Sequence, residues 1–574
     1  MYRVLGISTM TESAAVYIEN GIVKHAVEEE RFSRIKHSGG IPYKSIDYIL
    51  TTENLSIKDI DCLSLYWNPY LLPQRVLILL KNIFSNPRLL KLKIKRALNV
   101  FGGDEENESG WLDILLIKKR IKNTYNVLPK KIEFYNHHLS HVASSYYSNN
   151  SIDSNILVMD GAGEIEATSV YKVTKGEFNK LLKINLPHSL GHFYSSFTGF
   201  LGFKMLDGEY KLMGLSPYGK PEYVDWIKEN ILAPYKNIFY KLNISNLDYH
   251  EALTGKFSHI LNNKFGGKND DTFKKIDQKY LDLAKSVQEV FEENVFNIAN
   301  FIKKKSNIEN LSIVGGCGLN CKANGFILKK NIFKNIYIPP VPNDSGGALG
   351  AAYLSNKKNN MYTNSNLKSA YLGYEIKNER IEKCISKFNL QAEKLSYDEL
   401  INKAVEELIS NEIIAWVQGK MEFGARALGN RSFLADPRNE SIIDKLNIKI
   451  KKREKFRPFA PSILNEHRED FFDLYQDADF MSFIVNVKEN KRNLVPAIVH
   501  YDGSARPQTV KKSTNELYWK LINEFYNKTN IPMLLNTSYN INEPIACTEE
   551  DSFKTFINSG INKLFIGNFL VKKR

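Results

Sequence analysis

The feature that most constrains the fold is a strand-turn-strand unit that occurs twice. The first unit reads VLGIST and then SAAVYIENGIVKHAVEEE, with a turn at Glu19-Asn20-Gly21 and a third strand beyond it. The second unit, ILVMDGAGEIEATSVYKVTKGE over 156–177, has an apolar strand that ends at Asp160-Gly161. Glycine-bearing turns between such strands predict β-hairpins. Two hairpin starts predict duplicated halves.

Later segments predict the rest of the first domain, then a linker and a second domain. A long helix is expected over 278–305, followed by the strand and glycine turn LSIVGGCGLNCKANG and by YIPPVPNDSGGALGAAY. The polar stretch 355–367 predicts a linker. Beyond it we expect helices over 379–389 and 397–411 and a strand over 413–419. Because 574 residues exceed one hydrophobic core, the expected domains are 1–360 and 368–574.

Composition narrows the class of protein. The five cysteines are odd in number and predict buried thiols in a reducing compartment. No run approaches the roughly 20 apolar residues of a membrane helix, and no signal-peptide pattern is present, so a cytoplasmic protein without a membrane span is expected. The net charge of +14 is spread along most of the chain and is weak evidence for nucleic-acid binding.

One basic segment stands out. Residues 71–100 hold seven Arg or Lys and no acid. This favours a surface helical insertion with a solvated basic face. Contact with an anionic membrane or an acidic partner is the alternative.

Three of the 11 histidines lie within NHHLSHVASSYY, at 136–147. On a helix, His137 and His141 lie on one face, at the spacing two imidazoles need to bind one metal ion, whereas His138 points elsewhere. His138 also stands where a zinc protease carries its Glu base, which disfavours peptide hydrolysis. The alternative is a helix with packed or solvated histidines.

Three glycine turns in chain order are the pattern of the actin-like ATPase fold, an α/β class. Glycine lets backbone N–H groups approach phosphate oxygen closely. If His137 and His141 meet Asp160 and Asp344, the two imidazoles and two carboxylates suit a divalent iron, manganese or zinc ion. A nucleotide phosphate would complete its shell. The alternative is that these glycines only form turns: Gly161, Gly163, Gly315, Gly316, Gly346 and Gly347.

The C-terminal part has a different signature. Arg and Lys recur among small residues and turn formers in QGKMEFGARALGNRSFLADPRN, IKIKKREKFRPFAPSIL, HYDGSARPQTV and LNTSYNINEPI. Guanidinium groups bind phosphate or carboxylate in a bidentate way. A nucleic-acid surface shows exposed cations with stacking aromatic residues, so a pocket for a small anion is favoured and no nucleic-acid partner is expected.

With these motifs in order, the chain resembles the O-carbamoyltransferase family typified by the NodU nodulation enzyme, the CmcH cephalosporin enzyme and tobramycin carbamoyltransferase. The motifs are EEERFSRIKHSGGIP, NHHLSHVASSYY, VMDGAGE, PHSLGHFYSSFTGFLGF, KLMGLSPYG, GGCGLN, VPNDSGGALGAA, FGARALGNRSFLADPR, KFRPFAPSIL, DGSARPQTV and LNTSYN. The resemblance implies a threonylcarbamoyl-transferase-like N-terminal domain and a YrdC-like α/β C-terminal domain.

The resemblance also implies a two-stage reaction. Carbamoyl phosphate and ATP, with Mg²⁺, give carbamoyladenylate in the C-terminal domain, and the N-terminal domain passes the carbamoyl group to a hydroxyl of a small-molecule or sugar acceptor. Separate stages need an anion pocket and a metal-held phosphate. One chain also shields a labile intermediate from water.

The resemblance assigns roles to residues. The metal ligands, of iron above all, are His137, His141, Asp160 and Asp344. The nucleotide-binding residues are Gly161, Gly163, Gly315, Gly316 and Asn320. The residues for carbamoyl phosphate and the adenylate are Arg426, Lys451, Arg453, Arg457, Arg506 and Ser538. Glu12 and Lys211 are predicted to be catalytic.

One departure from relatives concerns the acceptor base. Several relatives carry His-Asp in the first turn, where this chain has Thr11 and Glu12. Threonine is no base near pH 7. Glu12, His37 or His188 takes the proton, or the metal and phosphate suffice, or transfer is impaired.

Two other functions compete with this one. An actin-like sugar or acid kinase would form ADP and a phosphorylated acceptor. A non-catalytic, nucleotide-dependent binding protein would show salt-sensitive RNA affinity. Neither gives the C-terminal arginines a defined role. The identity of the acceptor is not encoded in these motifs, and a homodimer is left open.

Overall fold

The computed structural model describes residues 2–85, 111–150, 152–235, 238–266, 276–361, 367 and 369–573. The chain forms two compact units. Unit 1 comprises Met1–Glu30 and His37–Leu367, and unit 2 comprises Arg31–Lys36 and Lys368–Arg574.

The first sheet of unit 1 grows from the first predicted hairpin. Its strands are β1 (Arg3–Ser8), β2 (Ala14–Glu19), β3 (Ile22–Glu28), β4 (Cys62–Leu65) and β5 (Ile132–Phe134), in the order β3-β2-β1-β4-β5. β1 pairs antiparallel with β2 and parallel with β4. Positive φ at Asn20 (49°) and Gly21 (81°) turns the chain between β2 and β3, as a tight hairpin turn requires.

The second sheet of unit 1 repeats this order. Its strands are β6 (Ser154–Met159), β7 (Glu166–Thr174), β8 (Glu177–Asn185), β11 (Asn310–Val314) and β12 (Asn335–Tyr337), in the order β12-β11-β6-β7-β8. β9 (Leu232–Tyr235) and β10 (Ile238–Leu242) form a separate ribbon. β6 pairs antiparallel with β7 and parallel with β11, as β1 does with β2 and β4. The predicted duplication is confirmed, and unit 1 has the predicted actin-like α/β architecture.

Helices connect and cover these sheets. Their bounds are Glu30–Ser33, Tyr43–Thr52, Leu72–Ser85, Trp111–Leu115, Ile117–Tyr125, His137–Ser148, Leu190–Phe200, Glu209–Leu215, Val224–Asn230, Tyr249–Ala252, His259–Phe265, Gln278–Lys305, Cys321–Lys329 and Asp344–Lys358. The helix predicted over 278–305 has those bounds.

The helix Asp344–Lys358 is packed unusually close to its neighbours. A Cβ on Gly350 would lie 1.7 Å from the carbonyl oxygen of Ser140, and a Cβ on Gly6 would lie 2.1 Å from that of Ala348. The small residues of this segment therefore let it approach both β1 and the helix His137–Ser148. The helix continues to Lys358, so the linker predicted from 355 starts too early. Residues 362–366 of that linker lie outside the described residues.

Unit 2 contains an eight-stranded mixed sheet and two short ribbons. The strands of the sheet are β14 (Gln391–Lys394), β15 (Ile414–Val417), β17 (Arg431–Ala435), β18 (Ala460–Leu464), β21 (Gln508–Val510), β22 (Met533–Ser538), β23 (Lys563–Ile566) and β24 (Phe569–Lys572), in the order β14-β24-β23-β15-β17-β22-β18-β21. β13 (Tyr371–Glu375) pairs with β16 (Lys420–Glu422), and β19 (Val485–Asn486) pairs with β20 (Ser504–Ala505). Its helices are Asn378–Lys387, Tyr397–Ile409, Ser441–Asp444, Arg468–Phe471, Glu489–Arg492, Glu516–Thr529 and Glu549–Asn558. The helices expected near 379 and 397 are thus present, and unit 2 is an α/β unit.

A short N-terminal segment belongs to unit 2. The Arg31 guanidinium donates to the carbonyl oxygen of Gly424 at 2.9 Å. Arg34 donates to the carbonyl oxygens of Ile545 and Pro544 at 2.8 and 2.5 Å. The sequence predicts division of the chain at a single linker, so the place of an N-terminal segment in unit 2 was not predicted.

The structure bears on the predictions about the cysteines, a membrane span and the basic segment. The cysteines are unpaired and four of them, Cys62, Cys321, Cys384 and Cys547, are buried as expected, while Cys317 is half-buried. Within the described ranges, no helix combines the length and the apolar character that crossing a membrane requires. The basic segment begins with the helix Leu72–Ser85, and its residues 86–100 lie outside the described residues.

Candidate functional site

The helix His137–Ser148 carries the predicted pair of imidazoles. His137 and His141 are fully buried, with their Nε2 atoms 3.2 Å apart. His138 points away from them, and its Nδ1 lies 2.7 Å from the Ser169 hydroxyl. Burial, and then the neighbouring His137, lowers the pKa of His138 well below its ordinary value.

Two carboxylates from separate elements join the imidazole pair. Asp160 directly follows β6, and Asp344 is the first residue of the helix Asp344–Lys358. From Asp160 Oδ2 the Nε2 atoms of His137 and His141 lie 2.6 and 3.4 Å away. From Asp344 Oδ1 the same atoms lie 3.6 and 3.7 Å away.

The chemistry of this cluster fits a divalent metal ion. One ligand atom from each of the four residues lies within 4.8 Å of the others. Burial opposes ionisation of Asp160, yet its contacts with His137 and His141 hold the pKa of that carboxyl well below its ordinary value. Because the donors are imidazole nitrogen and carboxylate oxygen, the set suits iron, manganese or zinc.

Two hydroxyl groups orient Asp344. The Tyr66 and Thr11 hydroxyls donate to its Oδ2 at 3.0 and 3.1 Å. Sequence reasoning missed Tyr66 and considered Thr11 only as a failed base. A usable signal existed, because Tyr66 directly follows β4, which runs parallel to β1, and residues after neighbouring parallel strands meet at one edge.

The predicted glycine turns lie against Asp160. The backbone N–H groups of Gly161 and Gly316 donate to its Oδ1 at 2.7 and 3.2 Å. Gly315 has φ of +86°, and a Cβ there would lie 2.1 Å from the carbonyl oxygen of Met159. Gly163 closes its own turn by donating to the carbonyl oxygen of Glu166 at 2.8 Å.

The remaining nucleotide candidate, Asn320, caps a helix. Its Oδ1 accepts from the backbone N–H of Ala323 at 3.0 Å and from Gln288 Nε2 at 3.1 Å. Its Nδ2 donates to Gln288 Oε1 at 3.2 Å. The side chain thus fixes the start of the helix Cys321–Lys329 behind the Gly315-Gly316 turn.

Glu12 lies in a network with His37 and Asp207. The His37 imidazole has Nδ1 3.3 Å from Glu12 Oε1 and Nε2 3.1 Å from Asp207 Oδ1. The other Glu12 oxygen accepts from the amide of Asn343, the neighbour of Asp344. Glu12 therefore contacts the residue that directly precedes the cluster residue Asp344.

Two other candidates have different surroundings. His188 Nδ1 accepts from the backbone N–H of Leu242 at 3.2 Å, and burial lowers the pKa of His188 to about 4. Lys211 lies on the helix Glu209–Leu215, with its ammonium 5.5 Å from the centroid of the Phe203 ring.

In unit 2, Lys451, one of the predicted anion-pocket residues, is surrounded by oxygen acceptors. It is 2% exposed, and its ammonium donates to the backbone oxygen of Ser538, to the Ser538 hydroxyl, and to the backbone and side-chain oxygens of Asn540. Burial, and then Arg453 and Arg457, lowers the pKa of Lys451 well below its ordinary value. Four internal acceptors make Lys451 part of the pocket framework.

The arginines near Lys451 differ in their contacts. Arg453 donates from Nε to Asn447 Oδ1 at 2.7 Å, and its guanidinium carbon lies 4.8 Å from the Phe459 ring centroid. Arg457 lies 3.8 Å from Glu454. The buried Nε of Arg506 has no hydrogen-bond partner among the described residues.

Buried amides tie the pocket segments together. Asn536, two residues before Ser538, donates to the carbonyl oxygen of Ala427 at 3.1 Å. Gln508, two residues after Arg506, donates to the carbonyl oxygen of Leu428 at 2.8 Å. The segments that carry Arg426, Arg506 and Ser538 therefore meet in unit 2.

The loop after Arg426 has a further support. Oε1 of buried Glu422 accepts from the backbone N–H groups of Leu428, Asn430 and Arg431 at 2.7, 2.7 and 3.3 Å. Sequence reasoning missed Glu422, Gln508 and Asn536. Nothing in the sequence indicates that these side chains bond to the loop.

The fold and the site define the class first: a duplicated actin-like unit with a His/Asp cluster that could hold a metal ion, followed by an α/β unit in which Arg453 and Arg457 lie near the buried Lys451. Residues 3–353 match the family model described as carbamoyltransferase N-terminus, and residues 405–573 match the one described as carbamoyltransferase C-terminus. The chain belongs to the carbamoyltransferase family. It is an enzyme of carbamoyl transfer.

Similar chains span between 76% and 100% of this one. An uncharacterised protein of Synechocystis sp. is 36% identical over 614 residues, covering 100% of this chain and 97% of its own. The nodulation protein NolNO of Sinorhizobium fredii is 36% identical, covering 98% of this chain and 79% of its own. The nodulation protein NolO of Bradyrhizobium diazoefficiens is 34% identical, covering 76% of this chain and 79% of its own.

Proposed function

We propose that the protein is an ATP-dependent O-carbamoyltransferase that works through carbamoyladenylate. Carbamoyl phosphate, ATP and one water give carbamoyladenylate, pyrophosphate and phosphate. An acceptor hydroxyl then attacks the carbamoyl carbon, the bond to the adenylate phosphate breaks, and the products are a carbamate ester, AMP and a proton. The observation that carries the proposal is the presence of two chemically different centres, the imidazole-carboxylate cluster in unit 1 and the cationic cluster in unit 2.

Activation is assigned to unit 2. Arg506 has a buried Nε without a hydrogen-bond partner among the described residues, which is costly unless an anion or water completes it. Guanidinium groups of Arg426, Arg453 and Arg457 supply further donors for phosphate. The Lys451 ammonium, bound by its four acceptors, fixes the position of Ser538 at the end of β22.

Transfer is assigned to unit 1. His137, His141, Asp160 and Asp344 would hold a divalent ion, for which we propose Fe²⁺. Bound there, the ion would supply Lewis-acid stabilisation of charge on a phosphate oxygen. The turns at Gly161, Gly163, Gly315 and Gly316 are assigned to the nucleotide, since glycine leaves no side chain between the backbone and a phosphate. The N–H groups of Gly161 and Gly316 already donate to Asp160 Oδ1 and therefore orient that carboxylate.

Glu12 is our choice for the acceptor base. Its carboxylate contacts both His37 and Asn343, so two neighbours fix its orientation. Asn343 directly precedes Asp344 in the chain. His37 serves as its positioning partner, and Asp207 orients the other side of that ring. His188 fits less well, because its Nδ1 already accepts from Leu242.

The proposal includes the partners and the location. The acceptor is a small molecule or sugar with a free hydroxyl, and ATP enters with Mg²⁺. A cytoplasmic location is proposed, supported by five unpaired cysteines, which are typical of a reducing compartment.

The test omits any acceptor. Purified protein is mixed with ATP, Mg²⁺ and carbamoyl phosphate, pyrophosphate and phosphate are measured, and nucleotides are identified by mass spectrometry. We expect both ions to be released, with AMP or carbamoyladenylate. Arg426→Ala should abolish the release, whereas Arg120→Ala, which changes an exposed guanidinium paired with Asp113, should not. No turnover, or ADP as the only nucleotide product, would refute the proposal.

A further inference from the structure

Unit 1 has a lysine-rich surface at the edge of its second sheet where the parallel strands β6, β11 and β12 begin. We call it the lysine face, and it comprises the segments 153–155, 172–177, 303–310 and 329–335. Asp160 directly follows the other end of β6, so the metal cluster lies at the opposite edge of the sheet. The two edges are separated by the length of β11, whose five residues span roughly 17 Å.

Hydrogen bonds hold the segments from β6, β7 and β11 side by side. The Lys172 ammonium on β7 donates to Asn307 Oδ1 at 3.3 Å. Asn310, the first residue of β11, donates from Nδ2 to the carbonyl oxygen of Asp153 at 3.0 Å. These contacts join the end of β7 and the starts of β6 and β11 into one surface.

The segment before β12 joins the same surface. The Lys334 N–H donates to the carbonyl oxygen of Glu309 at 2.8 Å. The Lys303 ammonium lies 5.9 Å from the ring centroid of buried Phe333, so the helix end that carries Lys303 is next to the loop before β12. The lysine face is therefore continuous from the helix end to the start of β12.

The charge of the lysine face is strongly positive. Its eight lysines are Lys172, Lys175, Lys303, Lys304, Lys305, Lys329, Lys330 and Lys334. Seven of them are exposed and Lys172 is half-buried, and none forms an ion pair with a carboxylate in the part of the chain that the structure describes. Only three carboxylates, Asp153, Glu177 and Glu309, lie on the same segments. The face therefore has a large excess of exposed positive charge.

Helix geometry accounts for only part of this pattern. Lysines in the last turn of a helix are favoured by the helix dipole, which explains those at the two helix ends. The dipole does not explain Lys172 on β7, Lys175 directly after that strand, or Lys334 directly before β12. Like charges placed together repel one another, so the face is suited to a partner that carries negative charge.

The residue types of the face distinguish between anionic partners. Specific protein interfaces are enriched in Arg, Tyr and Trp and depleted of Lys, whereas nucleic-acid sites combine cations with exposed aromatic rings. The four segments contain no Arg, Tyr or Trp, and their one aromatic residue, Phe333, is buried. Clustered lysines instead suit the diffuse negative charge of anionic lipid headgroups. Ile152, next to the face and 43% exposed, supplies an apolar side chain that can enter the headgroup region.

We propose that the lysine face docks the protein on an anionic membrane surface. The contact is peripheral and electrostatic, so it weakens when salt shortens the range of the attraction. Because the metal cluster lies at the other edge of the sheet, docking leaves that cluster uncovered. The inference goes beyond the proposed function and does not rest on it, since none of the residues assigned to activation or transfer belongs to the lysine face.

The test is co-sedimentation of the full chain with lipid vesicles. One set of vesicles contains phosphatidylcholine and phosphatidylserine at about 70:30, and the other contains phosphatidylcholine alone. In about 0.1 M NaCl we expect at least tenfold tighter binding to the anionic set, and loss of most of this binding in about 0.5 M NaCl. The triple variant Lys303→Gln/Lys304→Gln/Lys305→Gln should bind at least tenfold more weakly than wild type, and Lys329→Gln/Lys330→Gln at least threefold more weakly.

The matched control is Lys512→Gln/Lys520→Gln/Lys528→Gln, which removes the same charge as the triple variant from exposed positions in unit 2 and should bind like wild type. Melting curves verify folding, and if the triple variant fails to fold, Lys329→Gln/Lys330→Gln carries the test. Absent vesicle binding, binding unchanged in the folded face variants, or an equal loss in the control would overturn the inference. Tighter binding to a single-stranded RNA oligomer than to the anionic vesicles, measured by fluorescence anisotropy at the same salt concentration, would also overturn it.

Discussion

His37 and Glu12 form a contact in which the imidazole Nδ1 lies 3.3 Å from the carboxylate Oε1. Both residues have left-handed backbone conformations, with φ of 52° at each. Such conformations are uncommon for residues with a Cβ and cluster at functional sites. The contact therefore places a carboxylate and an imidazole at fixed positions next to Asn343 and the metal cluster.

Replacement of Glu12 tests its role as base. Glu12→Gln keeps the shape of the side chain but cannot accept the acceptor proton, so we expect carbamate ester formation to fall about 100-fold or more. The product is followed by mass spectrometry with a mixed set of hydroxyl acceptors. Glu53→Gln, which alters the contact of Glu53 with His25, is the control and should stay within about twofold. An unchanged rate in Glu12→Gln would remove Glu12 from the mechanism.

The charge of His37 predicts a pH dependence of stability. Although burial alone lowers it, contacts with Asp207 and Glu12 raise the pKa of His37 to about 10. Because the folded pKa exceeds the unfolded value, this group contributes full stability below about pH 6.5, and the contribution is lost as pH rises through 10. We expect the difference in urea midpoint between wild type and His37→Gln to shrink steadily from pH 6.5 to pH 10. A constant difference would mean that His37 is not charged in the folded protein.

The duplicated fold was predictable because local signals and tertiary structure agree. The turn at Asn20-Gly21 joins β2 to β3, the turn after β6 joins β6 to β7, and these strands occupy positions that occur in both sheets. The helix Gln278–Lys305 keeps one amphipathic pattern throughout. The end of the helix Asp344–Lys358 was not predictable from composition. Polar residues there, such as Asn356, are accommodated because Asn356 Nδ2 donates to the carbonyl oxygen of Ala352 inside the helix.

Residue types led to the prediction of the metal cluster, since imidazoles four residues apart on a helix and two acids beside glycine turns are donors that one divalent ion can share. The supports of the site were harder to find. Tyr66 and Glu422 act through a single hydroxyl or carboxylate oxygen on distant partners. For Tyr66 the only signal was its position directly after β4, and nothing in the sequence near Glu422 indicates its bonds to the loop. The assignment of Arg31–Lys36 to unit 2 likewise depends on bonds to carbonyl groups, which any sequence provides.

Removal of a metal ligand should abolish metal binding. His141→Ala deletes one imidazole, and we expect the bound metal, measured by plasma mass spectrometry after iron loading under anaerobic conditions, to fall from about one ion per chain to near zero. His259→Ala, at an exposed position on the helix His259–Phe265, should retain the ion. Since metal bound only to the folded state stabilises it, a chelator should also lower the melting temperature of wild type and of His259→Ala, but not that of His141→Ala. Full metal content in His141→Ala would disprove the assignment.

Lys451 and Arg426 should differ in their effects on stability. Lys451→Met removes the ammonium donor from the backbone and side-chain oxygens of the buried Asn540, so we expect the unfolding free energy of unit 2 to fall by about 1–3 kcal/mol. Lys520→Met, in an exposed pair with Glu516, should change it by less than about 1 kcal/mol. Arg426→Ala should abolish pyrophosphate release with little change in stability. Calorimetry of the full chain measures the stabilities, and a Lys451→Met protein as stable as wild type would contradict the framework role.

Alanine substitutions at two glycines with the same φ distinguish backbone strain from a steric clash. Gly40 and Gly315 both have φ of +86°, but a Cβ on Gly40 meets nothing within 4 Å, whereas one on Gly315 would lie 2.1 Å from the carbonyl oxygen of Met159. Alanine at Gly40 therefore introduces only the strain of a left-handed backbone, about 1–2 kcal/mol. Alanine at Gly315 adds a clash with the strand end that carries Asp160. We expect Gly315→Ala to lower the melting temperature at least twice as much as Gly40→Ala and to lose bound metal, while Gly40→Ala retains it. Equal melting temperatures with metal retained in both variants would show that the Gly315 turn can move away from Asp160 without harm to the cluster.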